Sequence, residues 1–143
     1  MTRQEIVAFF ARRLDATARH DAAALAALHA EDCVFESPWV GTVRGRDAIE
    51  QVYLHWFAAF PDVVLQGGQG EELLIDGNRV AQMATFVGTD SGGFMGVPPT
   101  GKPFRVPVAF LCTLNEHQIV YHRSIYDFTG MLVQIGVMKA KPA

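Results

Sequence analysis

The segment Tyr121-His122-Arg123-Ser124-Ile125-Tyr126-Asp127 gathers an imidazole, a guanidinium, two phenols, a hydroxyl and a carboxylate into seven residues. Such groups move protons or hold negative charge as it develops on oxygen. What they can do depends on which side of the chain each occupies. As a β-strand the segment alternates, sending Tyr121, Arg123, Ile125 and Asp127 to one face and His122, Ser124 and Tyr126 to the other. With the odd set facing a pocket, Arg123 would hold Asp127 ionised or bind a substrate carboxylate. With the even set facing in, His122 would carry protons with Tyr126 as donor. A bulge near the strand end would bring His122 and Asp127 together. A carboxylate acting on a carbon-bound proton needs a pKa raised above its usual ~4, and an apolar pocket raises it by desolvation. Asp127 also has a structural alternative: Thr129-Gly130-Met131 follow directly, so it can cap a terminal helical segment.

A second stretch, Phe94-Met95-Gly96-Val97-Pro98-Pro99-Thr100-Gly101-Lys102, is neither helix nor regular strand. Its prolines fix φ and remove backbone donors, and Gly96 and Gly101 admit conformations closed to other residues. The result is a shaped loop that presents Phe94 and Met95, suited to wall a pocket and close over a substrate. Among the aromatics, Trp39 and Trp56 are the best pocket candidates, because an indole N–H needs a partner and suits a half-wet mouth. Tyr53, Tyr121 and Tyr126 complete the expected substrate-binding set, whereas Phe9 and Phe86 are expected in the core. His20, His29, His55 and His117 show no HxH, HxxxH or carboxylate spacing, so no metal is assigned. A Gly-rich phosphate loop and a GxSxG elbow are both absent from the sequence, and no cofactor is expected.

The elements that must position these groups fit one domain spanning residues 1–143. Half of the residues are hydrophobic, enough to bury a real core. The net charge is −3 without a Lys/Arg run, which argues against nucleic acid and membrane partners. Arg12, Arg13 and Asp15 break the apolar run near the N-terminus, so it reads as an amphipathic helix and not as a signal peptide, and the expected compartment is the cytoplasm. Cys33 and Cys112 lie in apolar, strand-like text and are expected to be buried thiols, a disulfide being the alternative.

Ile6, Phe9, Phe10, Arg13 and Leu14 follow helical spacing, and a second helix is expected over about Asp21 to His29 with Asp21 as N-cap. A short strand follows from Asp32 to Glu36. A third helix runs from Gly45 through Phe60, with Ile49, Val52, Tyr53, Trp56 and Phe60 on one stripe and Pro61 as its stop. Strands are expected at Val63–Ile75 and Arg79–Val87 around the Asp76-Gly77-Asn78 turn, and at Phe104–Leu114 and Gln118–Tyr126 around Asn115-Glu116-His117. Pro107 removes a ladder donor and implies an edge position or a bulge. Thr129–Ile135 closes the chain as a helical turn ended by Gly136. Three helices before a run of antiparallel strands give an α+β domain with a curved sheet wrapped over helices.

The string Phe94 to Lys102 resembles the FMG(I/V)PPTGK signature of SnoaL-like proteins, the polyketide-cyclase branch of the NTF2-like superfamily. Phe60-Pro61-Asp62, Asp76-Gly77-Asn78-Arg79-Val80, Gln118-Ile119-Val120 with Asp127, and Gly130-Met131-Leu132-Val133-Gln134-Ile135-Gly136 are similar to further family blocks in their usual order, covering roughly two thirds of the chain. The resemblance implies a cone-shaped mixed or antiparallel sheet around a deep apolar cavity, a small hydrophobic ligand, a homodimer, and Asp127 as general acid/base in an intramolecular aldol condensation. His122 or Arg123 would assist. The match is incomplete: Tyr121, His122 and Arg123 replace the family's acidic residues and Trp, and Val106 to Leu111 offers none of the polar partners that cyclases use. Val34-Phe35-Glu36-Ser37-Pro38 resembles ketosteroid isomerases, but Ser37 stands where their catalytic Asp precedes the Pro. An epoxide hydrolase-like set would need Glu36 or Glu50 to join Arg123 and Asp127. Two classes are therefore carried forward: an acid/base enzyme on an apolar carbonyl compound, and a non-catalytic binder of a hydrophobic metabolite.

Overall fold

The computed structural model describes residues 1–140, the side chain of Glu71 excepted. Helix α1 (Arg3–Ala18) opens with a capping box in which the Thr2 hydroxyl accepts the Glu5 N–H and the Glu5 carboxylate accepts the Thr2 N–H, both at 3.2 Å. The apolar spacing buries Ile6, Phe9 and Phe10, and with them Arg13. Helix α2 (Ala22–Ala27) is capped by Asp21, which accepts from Ala24 N at 3.0 Å. It is shorter than the sequence suggested, because His29 already begins strand β1 (His29–Ser37). Strand β2 (Gly41–Arg44) pairs back on β1, an element the Pro38 and Gly41 interruption concealed. Helix α3 (Arg46–Ala59) buries Ile49, Trp56 and Phe57 and stops before Pro61.

The expected single strand Val63–Ile75 is two: β3 (Val64–Gly67) and β4 (Leu73–Asp76), separated by a 3-10 turn at Gly70–Glu72. The cause is local, since Gly67, Gly68 and Gly70 all take positive φ, a region closed to an extended ladder. Strands β5 (Arg79–Thr89), β6 (Pro103–Leu114) and β7 (Ile119–Tyr126) form the centre of the sheet, and helix α4 (Phe128–Gln134) follows. The order is β2-β1-β7-β6-β5-β3, with β4 also on β5. All pairings are antiparallel except β1 with β7, so the sheet is mixed. Pro107 is not on an edge strand. It sits one residue beyond the point where β6 begins to pair with β7, at Val108 opposite Tyr126, so no ladder bond to β7 is lost.

This curved sheet closes over the helices around two apolar clusters. One joins Ile6, Phe9 and Phe10 to Val80, Phe110 and Leu114; the other joins Trp56, Phe60 and Phe94 to Phe104, Met131 and Ile135. Tyr53, Phe86 and Tyr126 pack against both, and the space between the clusters is where a cavity forms. Between β5 and β6 the chain is held by buried Asp90, whose carboxylate accepts from Gly93 N, Thr100 N and the Thr100 hydroxyl at 3.0 to 3.2 Å. Gly96 and Gly101 take the positive φ their turn requires. Among the described residues, no helix is long and apolar enough to cross a membrane.

Candidate functional site

The cavity opens between α1, α3 and the inner face of the sheet. Helix α1 contributes Arg13 and Thr17, α3 contributes Tyr53, Trp56 and Phe57, and the strands contribute Phe35, Ser37, Phe86, Phe110, Ser124 and Tyr126. Its walls are mostly aromatic, and its empty space counted out to the mouth is about 560 Å³. Trp39, in the turn after β1, stands 5.6 Å from Trp56 between ring centroids.

Strand β7 settles which face looks inward. His122 and Ser124 are buried while Arg123 and Ile125 are exposed, so the even set faces the core. From it runs a hydrogen-bond chain. The His29 Nδ1 lies 2.8 Å from the Leu25 carbonyl, His29 Nε2 lies 3.0 Å from His122 Nδ1, and His122 Nε2 lies 3.4 Å from Ser124 Oγ. A carbonyl only accepts, so His29 carries its proton on Nδ1 and offers Nε2 as acceptor in the neutral ring. His122 must then donate from Nδ1, which leaves its Nε2 bare toward Ser124. Burial holds the His29 ring down to about 4. Burial also drives His122 well below the ordinary imidazole range, with the nearby Arg13 and His29 acting in the same direction. Both rings are therefore neutral at neutral pH, as the chain requires.

Arg13 faces the cavity from α1 at 2% exposure. Its Nη1 donates to Gln82 Oε1 at 2.7 Å, and its Cζ sits 4.3 Å over the Phe110 ring. Its buried Nε has no partner, nor has the buried hydroxyl of Tyr53 or the Trp56 indole nitrogen. Burial pushes the Tyr53 phenol up, with Arg13 beside it opposing the shift. Burial likewise pushes the Tyr126 phenol up.

Of the residues singled out in the sequence, Trp39, Tyr53, Trp56 and Tyr126 line the cavity, and His122 stands behind Ser124. The others lie elsewhere. Asp127 is exposed and is the N-cap of α4, its Oδ1 accepting from Gly130 N at 2.8 Å. Arg123 is exposed on the outer face, and the Tyr121 hydroxyl donates to Glu36 at 2.6 Å. Phe94 is buried against Trp39, Phe60 and Phe128, behind the cavity wall, and Met95 is 55% exposed. The two cysteines are free and buried, and the described residues hold no cluster of three or more His, Cys, Asp or Glu that would cage a metal.

Arg13, His29, Ser124 and Gln82 escaped the sequence reading as site residues. Arg13 did carry a signal: it falls on the apolar stripe of α1, where a charged side chain has to be either paired or in use. His29 carried none, because the parallel pairing of β1 with β7 joins it to His122 across 93 positions.

The SnoaL-like polyketide cyclase family model matches residues 8–135. Among solved structures, the chain is similar to IdmH of Streptomyces antibioticus, a candidate polyketide cyclase, at 32% identity over 90% of this chain and 96% of that one, with a TM-score of 0.74. AclR of Streptomyces galilaeus, a candidate hydroxylase, superposes with a TM-score of 0.82 at 24% identity, covering 99% of this chain and 87% of that one. A Catenulispora acidiphila protein of ketosteroid isomerase-like fold, bound to trimethylamine, gives 0.77 at 22% identity over 94% and 97% of the two chains. No curated protein matches the chain.

Proposed function

The chain belongs to the SnoaL-like polyketide cyclase family, and from that premise we propose that it moves a proton at a hydrophobic carbonyl compound held in the cavity, as an aldol cyclase or a related isomerase does. The observation that carries this is the hydrogen-bond chain from the Leu25 carbonyl to Ser124, which leaves a bare imidazole nitrogen directed at a hydroxyl on the cavity wall. Ser124 takes the proton from a carbon beside the substrate carbonyl while passing its own to His122 Nε2. The products are an enolate and an imidazolium. In a cyclisation the enolate carbon bonds to a second carbonyl of the same molecule, and the alkoxide formed recovers the proton from His122 through Ser124. Burial opposes the imidazolium, so the proton moves only as negative charge appears on the substrate nearby; in this apolar cavity the two charges stabilise each other strongly. Side chains supply every proton, and no cofactor enters these steps.

The test uses 2-tetralone, a bicyclic ketone with acidic carbon-bound protons, incubated in D2O and followed by proton NMR. The protein should accelerate exchange, and Ser124→Ala and His122→Gln should each remove about 100-fold of that acceleration. No acceleration by the wild type defeats the proposal. One observation favours the second reading, a binder without chemistry: Asp127, the family's expected acid/base, is an exposed helix cap. In that case a copurifying ligand would be held unchanged.

The proposal extends to a homodimer. Exposed Met83 lies across from Ala109, which lies across from exposed Ile125, an apolar row on the outer face of the sheet. Sedimentation equilibrium at micromolar concentration should give about twice 15.7 kDa, and the monomer mass would rule the dimer out.

A further inference from the structure

Arg13 poses a problem that the proton chain does not use. Among the described residues no carboxylate lies within 4 Å of it; the ion pairs there involve only Arg19 and Arg46. A buried guanidinium without a counter-ion is costly, and such charges are ordinarily paired. The compensation present is partial: one bond to Gln82 and one aromatic face, with Nε left without a partner. Gln82 is itself committed, donating to the Gly68 carbonyl at 2.8 Å. A purely structural role, tying α1 to β5, would need a single N–H donor, and a neutral side chain supplies that without burying a charge. Beside Arg13 stands Tyr53, whose buried hydroxyl also lacks a partner and faces the same cavity. A cationic donor and a phenol thus stand side by side in the lining of a cavity walled by Phe35, Trp56, Phe86 and Phe110.

We propose that Arg13 and Tyr53 form an anion subsite, and that the ligand of this cavity is a flat aromatic or polycyclic molecule bearing an anionic oxygen, either a carboxylate or an ionised enol or phenol. The Arg13 Nε–H and the Tyr53 O–H donate to that oxygen, and the aromatic walls hold the ring system. This deepens the reading above by naming the substrate class. It shares with that reading the cavity as binding site, and it does not depend on proton transfer occurring.

The test compares 2-naphthoate with 2-naphthamide, an uncharged molecule of nearly the same shape, by isothermal titration calorimetry and tryptophan quenching at pH 7. The wild type should bind naphthoate about 30-fold more tightly, the worth of a charge-assisted hydrogen bond. Arg13→Gln should reduce that preference to less than about 3-fold, and Tyr53→Phe should weaken naphthoate binding by about 5-fold. Equal affinity of the wild type for both probes, binding of neither, or a preference that survives Arg13→Gln overturns the proposal. If Arg13→Gln does not fold, the wild-type comparison and Tyr53→Phe still decide. Selectivity without 2-tetralone exchange would uphold the subsite and defeat only the proton-transfer reading.

Discussion

His29 and His122 hold their rings 12° from parallel, and His29 Nε2 stands 3.0 Å from His122 Nδ1. Because the far nitrogen of His29 faces a carbonyl, this one contact fixes the tautomer of both rings and leaves His122 with a bare Nε2. A feature that would otherwise pass for two core histidines becomes a directed acceptor behind a cavity hydroxyl.

Stability should depend on pH through this pair. Both histidines titrate lower in the folded chain than the unfolded 6.5, His29 near 4, so between those values the unfolded state binds more protons. Their contribution is complete above pH 6.5 and declines as pH falls below it, the His29 part being lost by about 4. For His29 alone it is on the order of 3 kcal/mol. Urea midpoints measured from pH 7.5 to 4.5 should fall in the wild type, and the fall should be much shallower in a His29→Gln, His122→Gln double variant.

Asp127 should behave as a cap. Asp127→Asn keeps a good capping side chain and should leave both stability and 2-tetralone exchange close to wild type, whereas Asp127→Ala should cost about 1 kcal/mol without changing the exchange rate. Loss of exchange in a folded Asp127→Asn would instead make it the acid/base that the family resemblance implies.

The loop after β5 should be intolerant at Gly92. A Cβ there would run into the Ala58 carbonyl, and the Gly92 N–H is already bonded to the Ala59 carbonyl at 3.0 Å. Gly92→Ala should therefore lose about 2 to 4 kcal/mol, the range expected when backbone must move, read as a drop in the denaturation midpoint.

The thiols should be silent in the native state. Burial pushes Cys33 up to about 11 and Cys112 up to about 12, so the thiolate fraction at pH 8 is on the order of 0.1% or less. Ellman's reagent should label neither until the protein unfolds, and then both.

Much of this fold was legible because periodicity and punctuation agree: the α3 stripe, the Asp76-Gly77-Asn78 turn, and the long β5 to β7 strands fall within a few residues of expectation. The alternation of β7 was legible as well, and it grouped His122, Ser124 and Tyr126 correctly. Which group faces inward was not, since that depends on α1 and α3 lying over one side of the sheet. The His29 partnership was hidden for a related reason, being set by a parallel pairing with a register shift between His29 and Val34. The Phe94-Met95 pair was read from its composition as a pocket wall, but Phe94 turns into the cluster behind the cavity while Met95, at φ 53, faces solvent.

A long-range proton–nitrogen correlation spectrum of the histidine rings at pH 7 reads the protonation of this pair directly. Proton transfer from Ser124 requires His29 and His122 both to be neutral, protonated on Nδ1 with Nε2 bare. An imidazolium, or an Nε2–H tautomer at His122, would contradict it by removing the nitrogen that is to receive the proton from Ser124.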